Sequence, residues 1–181
     1  LLKFCSEFAK EKQIMSTVIT FKPHPKVFLQ NRPHGCIQTL RDKATEIKNA
    51  KIDQLLILPF NEKLANLPAR KFIELLIKNL GMKAIMVGKD FRFGKARGGS
   101  VSMLMQMGKL LKFETFVAED ILHENEKISS SQIRNFARKG FLDKVCFYRG
   151  KLLTLTGRVV HGKKIGRTLG YPTLNIQVPD D

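Results

Sequence analysis

Three short runs of strand-forming apolar residues, separated by stretches with helical spacing, leave this chain few folds to choose from. The runs are Thr17-Val18-Ile19-Thr20-Phe21, Leu55-Leu56-Ile57-Leu58 and Ala84-Ile85-Met86-Val87. The second and third are continuous rather than alternating, as expected of strands buried on both faces. Between and before them, apolar residues recur every three or four positions. Leu1, Phe4, Cys5 and Phe8 predict a helix over 1–12, and Leu40, Ala44 and Ile47 one over 39–50. Phe72, Leu75, Leu76 and Leu80 mark the apolar face of a third helix, with Pro68 at its first position and Gly81 at its end. Alternation of this kind predicts an α/β fold with an open, mainly parallel sheet. Ligands on such sheets bind beyond the carboxyl ends of the strands. The loops to search are therefore Lys22–Phe28, Phe60–Leu67 and Gly88–Ser100.

Composition narrows the classes. Of 181 residues, 43% are hydrophobic and 27% charged, a globular rather than a disordered balance. No apolar run approaches the length of a membrane span. The three cysteines, Cys5, Cys36 and Cys146, are widely spaced and form no CxxC pair, which fits a reducing cytoplasm better than a disulfide framework or a zinc cluster. The net charge of +16 calls for a polyanionic ligand: nucleic acid, an anionic membrane or phosphate-bearing small molecules. Near residue 150 the texture changes. Thr154–His161 alternates like a half-buried strand, glycines crowd between 157 and 170, and Leu174–Val178 reads as another strand. The chain starts without Met and stops just after that strand, so it reads as an internal piece of a longer protein.

Four segments carry chemistry. The loop from Gly88 to Gly99 holds four glycines, four cations and two aromatic rings directly after a predicted strand. It is either a flexible basic surface loop or a ligand loop, and its place at a strand's carboxyl end favours the ligand. Ile128-Ser129-Ser130-Ser131-Gln132-Ile133-Arg134 puts three hydroxyls before a helix running to about Lys139. This is either a plain serine cap or a phosphate site at a helix N-terminus, with Arg134 one turn in. Pro23-His24-Pro25 fixes a rigid turn in which His24 is a structural residue rather than a catalytic one; His34 and His123 give no signal. The densest segment runs from Gly157 to Asn175. Its Gly162, Gly166 and Gly170 suit a loop around phosphates. Thr173 and Asn175, two apart on an extended segment, share a face from which a hydroxyl and an amide oxygen could ligate Mg²⁺ beside a nucleotide phosphate.

In this order the four segments resemble the bifunctional bacterial riboflavin kinase/FAD synthetases. Val18 to Pro25 is similar to that family's TFxPHP segment and Val87 to Gly94 to its VGxxFxFG loop. Ile128 to Arg134 is similar to the nucleotidylyltransferase ISSTxIR motif, with Ser131 for Thr. Gly157 to Asn175 resembles GxVVHGxxxGRxLGFPTAN, with Tyr171 for Phe and Leu174 for Ala. The resemblance implies a Rossmann-like nucleotidylyltransferase sheet over 1–148 and the opening of a β-barrel riboflavin kinase over 149–181. The first would transfer AMP from ATP to FMN and the second would phosphorylate riboflavin, both with Mg²⁺ and both in the cytoplasm. By the same resemblance Ser129, Ser130, Ser131 and Arg134 would hold ATP phosphates. Pro23, Pro25, Phe28, Asp90 and Phe93 would line the flavin site, and Gly162, Gly166, Gly170, Thr173 and Asn175 would form the kinase Mg–nucleotide site. The family's GxFDGxHxGH motif would precede Leu1, and the later kinase strands would follow Asp181. This stretch alone is therefore expected to complete neither reaction. A different class, a basic nucleic-acid-binding module, rests on the +16 and on Arg138–Arg167, where nine basic residues face one acid, Asp143. No RNP-like, zinc-finger or recognition-helix pattern supports it.

Overall fold

The computed structural model describes residues 1–31, 35–124, 126–154, 156–163 and 165–177. His34, Lys164 and Val178 lie outside these. The helices are α1 (Leu2–Lys12), α2 (Pro25–Gln30), α3 (Leu40–Asn49), α4 (Glu62–Ala65), α5 (Ala69–Leu80), α6 (Val101–Leu111), α7 (Ser130–Arg138), α8 (Leu142–Arg149) and α9 (Ile165–Thr168). The strands are β1 (Thr17–Lys22), β2 (Gln54–Pro59), β3 (Ala84–Gly88), β4 (Glu114–Ala118), β5 (Leu122–His123), β6 (Glu126–Lys127), β7 (Arg158–Val160) and β8 (Asn175–Gln177). The chain divides into two compact units, Leu1–His34 with Ala50–Ile128, and Gly35–Asn49 with Ser129–Asp181.

In the first unit the predicted strands form, and their pairing is parallel as expected. They make two ladders rather than one open sheet: β1 pairs with β2 from Thr17↔Gln54 to Lys22↔Pro59, and β3 with β4 from Ala84↔Glu114 to Gly88↔Ala118. Among the described residues neither ladder has a central strand, so the expectation of burial on both faces fails for β2. Leu55, Leu56 and Leu58 are half-buried and Ile57 is exposed. The core gathers Ile73 and Leu76 of α5, Val87 of β3, Phe93 of the following loop, Leu104 and Met107 of α6, and Phe113, with Ile19 of β1 packed against it. Ile73 and Leu104 are wholly buried. The apolar face of α5 is thus centred on Ile73 and Leu76, whereas Leu75 and Leu80, which periodicity put on that face, are largely exposed. Pro68 is the residue that caps α5 rather than its first helical residue, and Gly81 ends it at φ 61°. At the front of the unit Phe4 and Phe8 of α1 meet Phe116 of β4 edge-on, at ring-centre distances of 5.2 and 4.9 Å. Asp53 fixes the start of the β1/β2 ladder by accepting from the Ser16 backbone N–H at 2.8 Å and its hydroxyl at 2.7 Å.

Two loops expected to be irregular contain helices. Pro25 opens α2 because a proline is tolerated where a helix has no N–H partner to lose. Asn61 caps α4 by accepting from the Leu64 N–H at 3.0 Å. Among the described residues of the second unit the buried apolar ones are Ile47 of α3, Ile133 of α7 and Val145 of α8. Two carboxylates one turn apart on α3 fasten the segment that follows α8. Asp42 accepts from the Thr156 hydroxyl and, at 3.3 Å, from the Thr156 N–H, and Glu46 pairs with Lys151 at 2.5 Å and Arg149 at 3.4 Å. The expected strands near 158 and 175 form as a short antiparallel pair, β7 with β8. No helix among the described residues is long and apolar enough to cross a membrane.

Candidate functional site

The loop after β3 is built by its glycines. Phe91 N–H closes a turn onto Gly88 O at 3.0 Å, and Phe93 and Gly99 exchange backbone hydrogen bonds at 3.3 and 2.8 Å, which folds residues 93–99 back on themselves. Lys95 N–H then ties the fold to Leu67 O at 2.7 Å. Gly94 sits at φ 72°, where a Cβ would lie 2.5 Å from Ala69 Cα. A Cβ on Gly99 would lie 2.7 Å from the Phe93 ring. Of the two loop aromatics, Phe93 is nearly buried, stacked at 5.4 Å on Phe91 and tilted against Phe72 at 6.2 Å. The flavin candidate Phe93 is therefore a loop residue whose ring belongs to the core, and Phe91 is the more accessible ring.

Asp90 projects outward from the same loop, its carboxylate paired with Lys127. Lys127 also pairs with Asp120 at 2.8 Å, and Asp120 with Lys89 at 2.5 Å. The hydrogen bonds from Lys127 and Lys89 hold the Asp120 carboxyl below the usual carboxylate range, and the same contacts raise both lysines.

The other flavin candidates cluster at the carboxyl end of β1. Pro23 follows a cis peptide bond. His24 caps α2, its Nδ1 accepting from Lys26 N–H at 3.2 Å, which gives it the structural role expected of it. Pro25 is the first residue of α2, and Phe28 on the next turn is partly exposed. Phe28 meets Phe60 edge-on at 5.6 Å, and Phe60 meets Phe21 at 5.7 Å. Phe60 escaped the sequence reading. Its signal was its position, one residue past β2 at the same ladder end as Lys22, whose carbonyl accepts the Phe60 N–H at 3.0 Å.

In the second unit Ser129 caps α7, its hydroxyl accepting from Gln132 N–H at 3.2 Å, and Ser130 and Ser131 are the first two helical residues. Arg134 lies one turn on. Its Nε donates to Gly35 O at 2.7 Å, and burial, with Arg138 nearby, lowers its pKa from the ordinary arginine value. A helix start with first-turn N–H groups, hydroxyls and a held guanidinium can bind phosphate. Gly162 and Gly166 of the 157–175 segment are demanded by close approaches. A Cβ on Gly162 would lie 2.3 Å from Asn175 Nδ2, and one on Gly166 would lie 2.3 Å from Tyr171 O and 3.1 Å from Thr173 Oγ1. Gly162 and Gly166 thus border Asn175 and Thr173. Gly170, at φ 80°, ends the turn after α9. The flavin candidates belong to the first unit, and the phosphate and kinase candidates to the second.

A family model described as FAD synthetase matches residues 1–132, and one described as riboflavin kinase matches 149–181. The chain belongs to the FAD synthetase family. It is similar to proteins named bifunctional riboflavin kinase/FMN adenylyltransferase: 38% identical to that of Buchnera aphidicola subsp. Schizaphis graminum, 31% to that of Escherichia coli K12 and 30% to that of Listeria monocytogenes. The alignments cover 98%, 97% and 100% of this chain but 58%, 57% and 58% of the relatives, so the chain spans a little over half their length. A crystal structure titled a macrolide-efflux protein from Streptococcus pneumoniae superposes with a TM-score of 0.81 at 28% identity, over 99% of this chain and 59% of that one. With both family models in place, the nucleic-acid reading of the positive charge is not favoured.

Proposed function

We propose that the whole protein makes FAD from riboflavin in the cytoplasm by two transfers from ATP, with residues 1–148 in an FMN adenylyltransferase domain and 149–181 opening a β-barrel riboflavin kinase. The observation that carries this reading is the order of the two family matches along one chain, with the four motifs falling inside or beside them. In the first domain an FMN phosphate oxygen forms a bond to the ATP α-phosphorus while the bond from that phosphorus to the bridging oxygen breaks and pyrophosphate leaves. The nucleophile is already an anion, so the protein supplies position and charge rather than a base. Ser129, Ser130, Ser131 and Arg134 hold ATP phosphates at the start of α7. Pro23, Pro25, Phe28, Asp90 and Phe93 form or support the flavin site.

In the second domain the riboflavin hydroxyl oxygen bonds to the ATP γ-phosphorus while the bond from that phosphorus to the bridging oxygen breaks and ADP leaves, the hydroxyl proton passing to solvent, with Gly162, Gly166 and Gly170 shaping the loop beside the phosphates. Thr173 and Asn175 offer a hydroxyl and an amide oxygen, hard neutral donors of the kind Mg²⁺ accepts beside nucleotide phosphates, and the side-chain-free Gly166 and Gly162 border them. These two residues would hold the ion, which neutralises developing phosphate charge when bound.

The two-site division is tested by separate assays of FAD formation from FMN and of FMN formation from riboflavin, in the whole protein. Arg134→Ala is expected to depress the first by about 10²-fold, the scale of losing one charged transition-state contact, and to spare the second. Thr173→Ala and Asn175→Ala are expected to do the reverse. Equal loss of both activities in all three variants would overturn it.

A further inference from the structure

Behind Asp90 the first unit contains a junction whose other members, Lys89, Asp120 and Lys127, the flavin reading does not use. Three backbone segments converge on the carboxylate of Asp120. The parallel register of β3 and β4 sets Gly88 opposite Ala118, so Lys89 and Asp120 leave the ladder at the same end. The hairpin β5/β6 then turns the chain back, pairing Leu122 with Lys127 and closing with Ile128 N–H on Ile121 O at 2.9 Å. That return brings Lys127 beside Asp120. Both oxygens of Asp120 are occupied, Oδ2 by Lys89 at 2.5 Å and Oδ1 by Lys127 at 2.8 Å, and Lys127 passes the contact on to Asp90. Asp120 is the covered member, with 13% of its side chain exposed, against 74% for Asp90. A lone pair between Lys127 and an exposed Asp90 would hold little against solvent. A covered carboxylate that anchors Lys127 from behind makes the pair directional.

We propose that Asp120 is a positioning residue for flavin binding: through Lys127 and Lys89 it fixes the loop 89–93 and with it the Asp90 carboxylate. The proposal rests on the reading that Asp90 belongs to the flavin site. Asp120 itself touches no ligand. It sets the direction in which Asp90 presents its oxygens and restrains the backbone that carries Phe91 and Phe93.

The test measures FMN binding to the whole protein by quenching of flavin fluorescence, with folding followed by circular dichroism. Asp120→Asn keeps shape but loses the charge, and is expected to weaken FMN binding roughly threefold or more, within the span of couplings between contacting groups. Lys127→Met should lose as much, Lys127→Arg should retain most of the affinity, and the double variant Asp120→Asn, Lys127→Met should bind no more weakly than the worse single. Asp90→Ala should weaken binding as well. If Asp90→Ala binds FMN like the parent, the flavin-site reading fails and this proposal with it. If Asp90→Ala weakens binding while a folded Asp120→Asn, or Lys127→Met where the former does not fold, binds like the parent, the positioning role alone is overturned. Failure of Lys127→Arg to rescue would also overturn it, since a merely structural loss would not depend on the charge.

Discussion

Gly94→Ala isolates the close approach that fixes the loop after β3. Two costs arise. At φ 72° an alanine enters the left-handed region, which costs an L-residue about 1–2 kcal/mol. The new Cβ would also stand 2.5, 2.6 and 2.8 Å from Ala69 Cα, N and Cβ. The first two are backbone atoms at the start of α5, so the clash cannot be relieved by turning a side chain, and overpacking of this kind costs about 1–3 kcal/mol more. Gly81→Ala is the matched control, because Gly81 has φ 61° and open space around a Cβ, leaving only the first cost. The difference, about 1–3 kcal/mol, corresponds to roughly 2–12 °C in melting temperature for a chain of this size. Thermal melting of both variants should therefore place Gly94→Ala well below Gly81→Ala. Only Gly94→Ala should also weaken FMN binding, because only it displaces the loop bearing Asp90 and Phe93. Equal melting temperatures would show that contact with Ala69 does not hold the loop.

Other outcomes follow from the same geometry. The Thr156 hydroxyl, then that of Thr39, holds the Asp42 carboxyl below its ordinary value. A carboxyl lowered by folding stabilises above its unfolded pKa of about 4, and that stability is lost as pH falls through the folded value. Thr156→Val should therefore flatten the acid limb of a plot of melting temperature against pH below about pH 4, and unchanged limbs would contradict the assignment. Leu104→Ala, which empties a wholly buried site in the first unit, should cost about 2–5 kcal/mol in urea unfolding, and a loss under 1 kcal/mol would mean the core is placed wrongly. Phe60→Ala should weaken FMN binding by removing the ring that supports Phe28, while Phe60→Tyr should preserve it; parental affinity in Phe60→Ala would remove Phe60 from the site.

What the sequence discloses here is local and periodic. The three apolar runs became β1, β2 and β3, and the glycine-rich basic stretch proposed as a ligand loop follows β3, at a strand's carboxyl end as its position in the sequence implied. Ser129 was legible as a cap because serine accepts from the first turn of a helix. The division of the strands into two ladders was not legible, since hydrogen-bond partners are chosen across distances that no local pattern records. Periodicity puts Leu76 rightly on the covered face of α5 but Leu75 and Leu80 wrongly: Leu75 and Ile73 are equally apolar, and only the place of Phe93 and Leu104 decides which is covered. Asp120, Lys127 and Phe60 were missed for a related reason. Each is unremarkable in its own segment and meets its ion-pair or ring partner only where the ladder ends bring separate segments together.

The most direct measurement supplies the whole protein with riboflavin, ATP and Mg²⁺ and follows the flavins by chromatography and pyrophosphate by a coupled assay. FMN should appear first and FAD after it, with one pyrophosphate released for each FAD formed. Riboflavin recovered unchanged, together with FMN that is not converted when supplied directly, would contradict the assignment of both domains.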